Sequence, residues 1–214
     1  MDNRIFSKIL AFITGNAPTL IRFFRANIKK AQCADFLAFF LIRLYLAPVL
    51  WMAGTRKFVN FSETAEWFGN TETGLGFPAP YLLVFLVGFI ETLGALFLLA
   101  GFATRFISIP LMIIVAVAGY TVHLPNGWPA IAGGSGFFPT ERTVEAMQRL
   151  EKAKEILQSQ GDYAWLTEHG NFVILNNGVE FAATYFIMLL TLFFAGGGRY
   201  LSADYWLARR YFDS

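Results

Sequence analysis

The stretch APYLLVFLVGFIETLGALFLLA, Ala79 to Ala100, decides the fold. It holds a single charge, Glu91, and is long enough to cross a bilayer as one helix. A span needs about 17–25 mostly apolar residues, each adding about 1.5 Å of rise. A second run, FLAFFLIRLYLAPVLWMA (Phe36–Ala53), has the same character and also holds one charge, Arg43. Phe106–Leu124 and Val179–Ala195 complete a set of four, the last near the short limit. The whole composition agrees. Of 214 residues, 56% are hydrophobic and only 15% charged, against about 25% charged in a soluble domain. Four buried helices in a soluble protein would need more charge to cover their outer faces. The sequence therefore predicts an all-α integral membrane protein. It is a four-transmembrane-helix bundle with spans about 36–53, 79–100, 106–124 and 179–195, set in a membrane domain of residues 36–207.

The remaining segments are polar. Residues 1–35 form a basic arm with Arg4, Lys8, Arg22, Arg25, Lys29 and Lys30. No compact apolar region with a small-residue cleavage site stands there, so no cleaved signal is expected. Within the arm, Pro18–Gln32 reads as an amphipathic helix. Arg22, Arg25 and Lys29 share one face and Leu20, Phe24 and Ile28 another, which suits a helix lying among lipid headgroups. A nucleic-acid partner is not expected. Residues 208–214 are a short tail. Cys33 is the single cysteine, so no intramolecular disulfide and no two-cysteine redox chemistry can form within one chain.

Orientation follows from charge. The side with the N-terminal arm, the turn Gly101–Arg105 and the tail carries ten Lys and Arg against four acids. The other side carries six against nine. The positive-inside rule puts both termini in the cytoplasm of a multi-pass protein of the bacterial inner membrane. The long outer loop, 125–177, then faces the periplasm. Its start is rich in Gly and Pro. Thr140 is placed as N-cap of a helix over Glu141–Ser159, with Val144, Met147, Leu150 and Leu157 as its apolar stripe. Trp128, Tyr163 and Trp165 suit an interfacial belt, and Phe58, Phe61, Trp67 and Phe68 cluster in the first loop.

Charges inside a span are expensive and mark candidate sites. Counted from the cytoplasmic ends, Arg43 lies about 10 Å deep and Glu91 about 13 Å deep. The spans are consecutive and antiparallel, so the depths predict a buried Arg43–Glu91 ion pair. Arg43, Ala47, Leu50, Gly54 and Lys57 continue one helix face outward. Gly88, Gly94 and Ala95 flank Glu91 and permit close helix approach. A second set, Lys57, His123, Asn177 and Glu180, lies at the outer mouth. Thr184 and Thr191 extend a polar stripe inward from Glu180. These outer residues read either as a proton-exchanging or ligand-binding mouth or as boundary residues meeting water. His123, Glu180 and Met112 are the side chains there able to ligate a metal, without a recognisable metal spacing. There is no dinucleotide fingerprint, phosphate loop, nucleophile elbow or haem-attachment motif, so no catalytic residue is assigned.

The segments RLYLAPVLWMAGTRKF (Arg43–Phe58) and GFIETLGALFLLAGFATRF (Gly88–Phe106), the span ending at His123, and GGGRYLSADYWL (Gly196–Leu207) together resemble the DoxX family of small bacterial membrane proteins. The departures are Ala47, where a glycine is expected, and the long helical outer loop. The ending beginning NNGVEF resembles a branch (HvfX-like) found with copper-binding, ribosomally made modified peptides. The resemblance implies a four-helix bundle linked to respiratory or redox chemistry. Three roles follow as expectations. One is a non-catalytic accessory subunit of an oxidoreductase or metal-stress system, holding a quinone-like ligand in the bundle. Another is a membrane partner in maturing or exporting a copper-binding peptide, with partner membrane or periplasmic proteins. The third is a proton-coupled transporter using Glu91 and Glu180, although no internal repeat or pair of broken helices supports it. Against all three stands a purely structural role for the buried charges, fixing helix register.

Overall fold

The computed structural model describes residues 22, 25, 27, 28, 32–133 and 138–211. The described residues are mostly helical, and among them a lone bridge joins Ile131 and Leu175. The chain runs through α1 (Asp35–Val59), α2 (Phe61–Gly69), α3 (Pro80–Ala100), α4 (Thr104–Ala118), α5 (Glu141–Gln160), α6 (Tyr163–Leu166), α7 (Glu180–Ala195) and α8 (Ala203–Tyr211). A π-helical turn, Gly119–His123, and a 3-10 turn, Leu124–Asn126, continue α4. The amphipathic helix expected over Pro18–Gln32 lies largely outside the described residues.

Helices α1, α3 and α4 with its continuation are long and apolar enough to span a bilayer, and α7 is a shorter apolar helix of 16 residues. Their centre is dry: Leu46, Leu50, Ala95, Leu98, Ile107, Leu111, Leu189 and Leu192 form one buried cluster. Their outer faces are apolar too. Leu41, Trp51, Phe85, Phe89, Ile109, Ile113, Ile187 and Phe194 are all exposed. An apolar surface on every side is what lipid solvates and water does not. The protein is an integral membrane helical bundle.

The sequence ends the first span at Ala53, whereas α1 continues to Val59. Its last turn carries Arg56 and Lys57, where cations favour the negative end of the helix dipole. The outer-loop helix forms where expected. The Thr140 hydroxyl accepts from Thr143 N at 3.3 Å, and Thr143 Oγ1 accepts from Thr140 N at 2.9 Å. That reciprocal cap fixes the start of α5. The buried face of α5 is Thr143, Ala146 and Leu150. Val144, expected on the stripe, is exposed, because it lies off that i, i+3, i+7 row.

The two ends of the bundle are built differently. At the turn end, Asp204 accepts from Ala103 N at 2.6 Å and Thr104 N at 2.9 Å, capping α4. Ser202 Oγ and Asp204 N both donate to Gly101 O. The closing segment thus holds the α3–α4 turn. At the loop end, residues 176–180 wrap around residues 126–130. Asn176 Nδ2 donates to Asn126 O and Pro129 O, Gly178 N to Pro129 O, and Val179 N to Gly127 O.

Candidate functional site

Gly54 sets the geometry between α1 and α3. A Cβ there would lie 2.8 Å from Gly88 O and Thr92 N, so the two backbones touch at that level. Lys57 stands one turn further along α1, and its long side chain turns back toward α3. Its Nζ lies 2.7 Å from Glu91 Oε2 and donates also to Ala53 O at 3.3 Å. The side chains are 20% and 8% exposed, respectively. The intramembrane carboxylate is therefore paired, with Lys57.

The expected Arg43–Glu91 pair does not form. Arg43 is 1% exposed, and it donates from Nη1 to Leu98 O at 3.0 Å and from Nη2 to Leu201 O at 2.5 Å. It caps the carbonyl end of α3, where a cation meets the negative end of the helix dipole. The reason is register. Gly54 beside Gly88 and Thr92, and Arg43 beside Gly101, fix how α1 lies along α3. At that register Glu91 is about ten residues of α3, about 15 Å, from the level of Arg43.

Lys57 and Glu91 border a cavity of about 370 Å³ between α1, α2, α3, α4 and the π-helical turn. The rest of its wall is nearly all apolar, including Trp67, Phe68, Phe77, Val87, Ile114 and Val117. Thr121 also lines it, but its hydroxyl is already bonded to Val117 O at 2.8 Å. π-Turns inside α-helices recur at functional sites. An ammonium has three donors, and two are used by Glu91 and Ala53. Among the described residues Glu91 Oε1 accepts no hydrogen bond. The apolar cavity therefore meets one donor and one acceptor side by side. Its size falls within the roughly 300–1,000 Å³ of small-molecule sites.

The expected outer cluster separates. Lys57 goes to Glu91. His123 Nδ1 lies 3.1 Å from Asn177 O, and Asn126 Nδ2 donates to the same oxygen. Asn177 itself has φ of +58°, within the 176–180 wrap. Glu180 Oε2 accepts from Ala130 N at 2.9 Å. The hydroxyls of Thr184 and Thr191 bond back to Glu180 O and Ile187 O within their own helix. As for metal, Met112 packs against the apolar core, away from the loop partners that His123 and Glu180 take. Among the described residues, no three His, Cys, Asp or Glu side chains gather as a metal would require. The missed feature is the Lys57–Glu91 pair. Its signal was present, since Lys57 continues the buried face of α1.

Comparison with curated proteins finds no match, and comparison with solved structures finds none. Comparison with protein families finds one over residues 38–124, which run from α1 through the π-helical turn and include Arg43, Lys57, Glu91 and His123. The family is DoxX. The chain therefore carries a DoxX domain over that stretch, within a membrane protein whose apolar helices are long enough to span a bilayer.

Proposed function

We propose that the protein is an accessory subunit of a redox system in the bacterial inner membrane and that its cavity holds the head group of a quinone-like ligand. The observation that carries this reading is the Lys57–Glu91 pair at the wall of an otherwise apolar cavity. A quinone carbonyl accepts the remaining Lys57 proton, and a quinol hydroxyl donates to Glu91. The flat ring lies against Phe68 and Phe77, and the apolar tail runs out past Val117 into lipid. The charge bias supports cytoplasmic termini, which puts Lys57 and the cavity toward the periplasmic half of the bilayer.

Trp67 borders the cavity and provides the probe. The purified protein is titrated with a short-chain ubiquinone analogue while tryptophan fluorescence is followed. Saturable quenching is expected, with affinity about tenfold weaker in Lys57→Met, which loses a charge-assisted hydrogen bond. Quenching that never saturates, or that is identical in the variant, ends the proposal.

A further inference from the structure

The glycine loop after α7, the start of α4 and the first turns of α1 enclose a second cavity, of about 430 Å³, at the turn end of the bundle. Its wall divides by polarity. Phe39, Phe106 and Ala195 come from the spans, and Phe106 is 78% exposed on the lipid-facing side of α4. The polar side includes Arg105, Arg199, Asp35 and Asp204.

These four charges are not equivalent. Asp204 is engaged by the N–H groups of Ala103 and Thr104. Arg199 Nη2 is held by Asp35 Oδ1 at 2.6 Å and by Gln32 O at 3.2 Å. Arg105 has no carboxylate partner among the described residues, and its hydrogen bond there is a long one, Nη2 to Ala195 O at 3.5 Å. Its guanidinium lies over Gly196, where a Cβ would come within 3.2 Å of Nε. The cavity thus joins a guanidinium that no carboxylate engages among the described residues to an apolar flank that opens toward lipid.

We propose that this cavity binds the phosphate ester of an anionic phospholipid, with Arg105 on the phosphate and an acyl chain against Phe106. A guanidinium fork matches two phosphate oxygens, and basic pockets between spans at the membrane face take lipid headgroups. Inorganic phosphate satisfies Arg105 equally but leaves the apolar flank unused, and that difference separates the two sources of the same chemistry.

The full chain is purified in detergent and probed by native mass spectrometry and thermal melting with phosphatidylglycerol, phosphatidylcholine or inorganic phosphate. Phosphatidylglycerol is expected to be retained and to raise the melting temperature, phosphatidylcholine to be retained less, and phosphate to do neither. Arg105→Gln is expected to weaken phosphatidylglycerol binding about tenfold, and Arg105→Lys less. The proposal is overturned if Arg105→Gln retains phosphatidylglycerol as the unmodified protein does, if the two lipids are retained equally, or if phosphate displaces the lipid at equal concentration. Should Arg105→Gln fail to fold, the three probes on the unmodified protein decide the matter alone.

Discussion

Arg43 reaches the carbonyl end of α3 through the space that Gly101 leaves empty. A Cβ at residue 101 would collide with Arg43 Nη1, and the glycine φ of +65° is itself left-handed. Gly101→Ala is therefore expected to be more disruptive than the about 1–2 kcal/mol of backbone strain alone, because the guanidinium must also move. Arg43→Met is expected to lower the melting temperature in detergent sharply. Arg43→Lys should recover only part of the loss, since one ammonium cannot serve Leu98 O and Leu201 O in the fork geometry of a guanidinium.

The Lys57–Glu91 pair is expected to behave non-additively. Lys57→Met leaves a largely buried carboxylate without its cation, a loss on the order of 3–5 kcal/mol. Glu91→Leu leaves the converse problem. The double variant Lys57→Met/Glu91→Leu should be more stable than the sum of the two losses implies, as isosteric apolar replacement of a buried pair often is. Thermal melting of the four proteins checks this, and strict additivity would show that the pair is not coupled.

Asp204 is expected to matter for assembly although it lies outside the spans. Asp204→Ala removes the acceptor of two N–H groups at the head of α4 and should cost about 1–2 kcal/mol. Ala103, one of the two donors, has φ of +46°. Ala103→Gly is therefore expected to stabilise by about 1 kcal/mol. A melting curve for each variant measures both effects, in opposite directions.

At the loop end the backbone rather than the charge is expected to be decisive. Glu180→Gln keeps an acceptor for Ala130 N and should change stability by less than about 1 kcal/mol. Gly178→Ala places a Cβ 2.6 Å from both Gly127 O and Trp128 O. It should prevent the wrap from closing, read as faster proteolysis of the 126–180 region.

The spans, the outer-loop helix and the buried face of α1 were legible in the sequence, and the relative heights of the helices were not. Apolar length gave the spans, and the 3-and-4 spacing from Arg43 to Lys57 gave a face that the structure buries at Arg43, Ala47, Leu50 and Gly54. Depth in the sequence, however, has only the end of each apolar run as its origin. That assumes the two helices start level, whereas α1 extends past the end of α3 at one side and is fixed by the contact of Gly54 with Gly88 and Thr92. Helical rise is then measured from the wrong origin, and Arg43 is matched with the wrong partner. Glu180 stands between two readings in the sequence for a different reason. A carboxylate at the head of a helix has the same sequence signature whether it faces a ligand or a neighbouring loop, and the loop that approaches it, at Ala130, is remote in the chain.

The 16 residues of α7 have a consequence for the surrounding membrane. They rise about 24 Å, against a hydrocarbon thickness of about 30 Å. The 21-residue α3 on the other side of the bundle covers the full depth. Lipid packed against this molecule therefore meets two different thicknesses. Beside α7 the mismatch must be met by local thinning of the bilayer or by its flanking residues, at a cost of a fraction of a kcal/mol for each ångström.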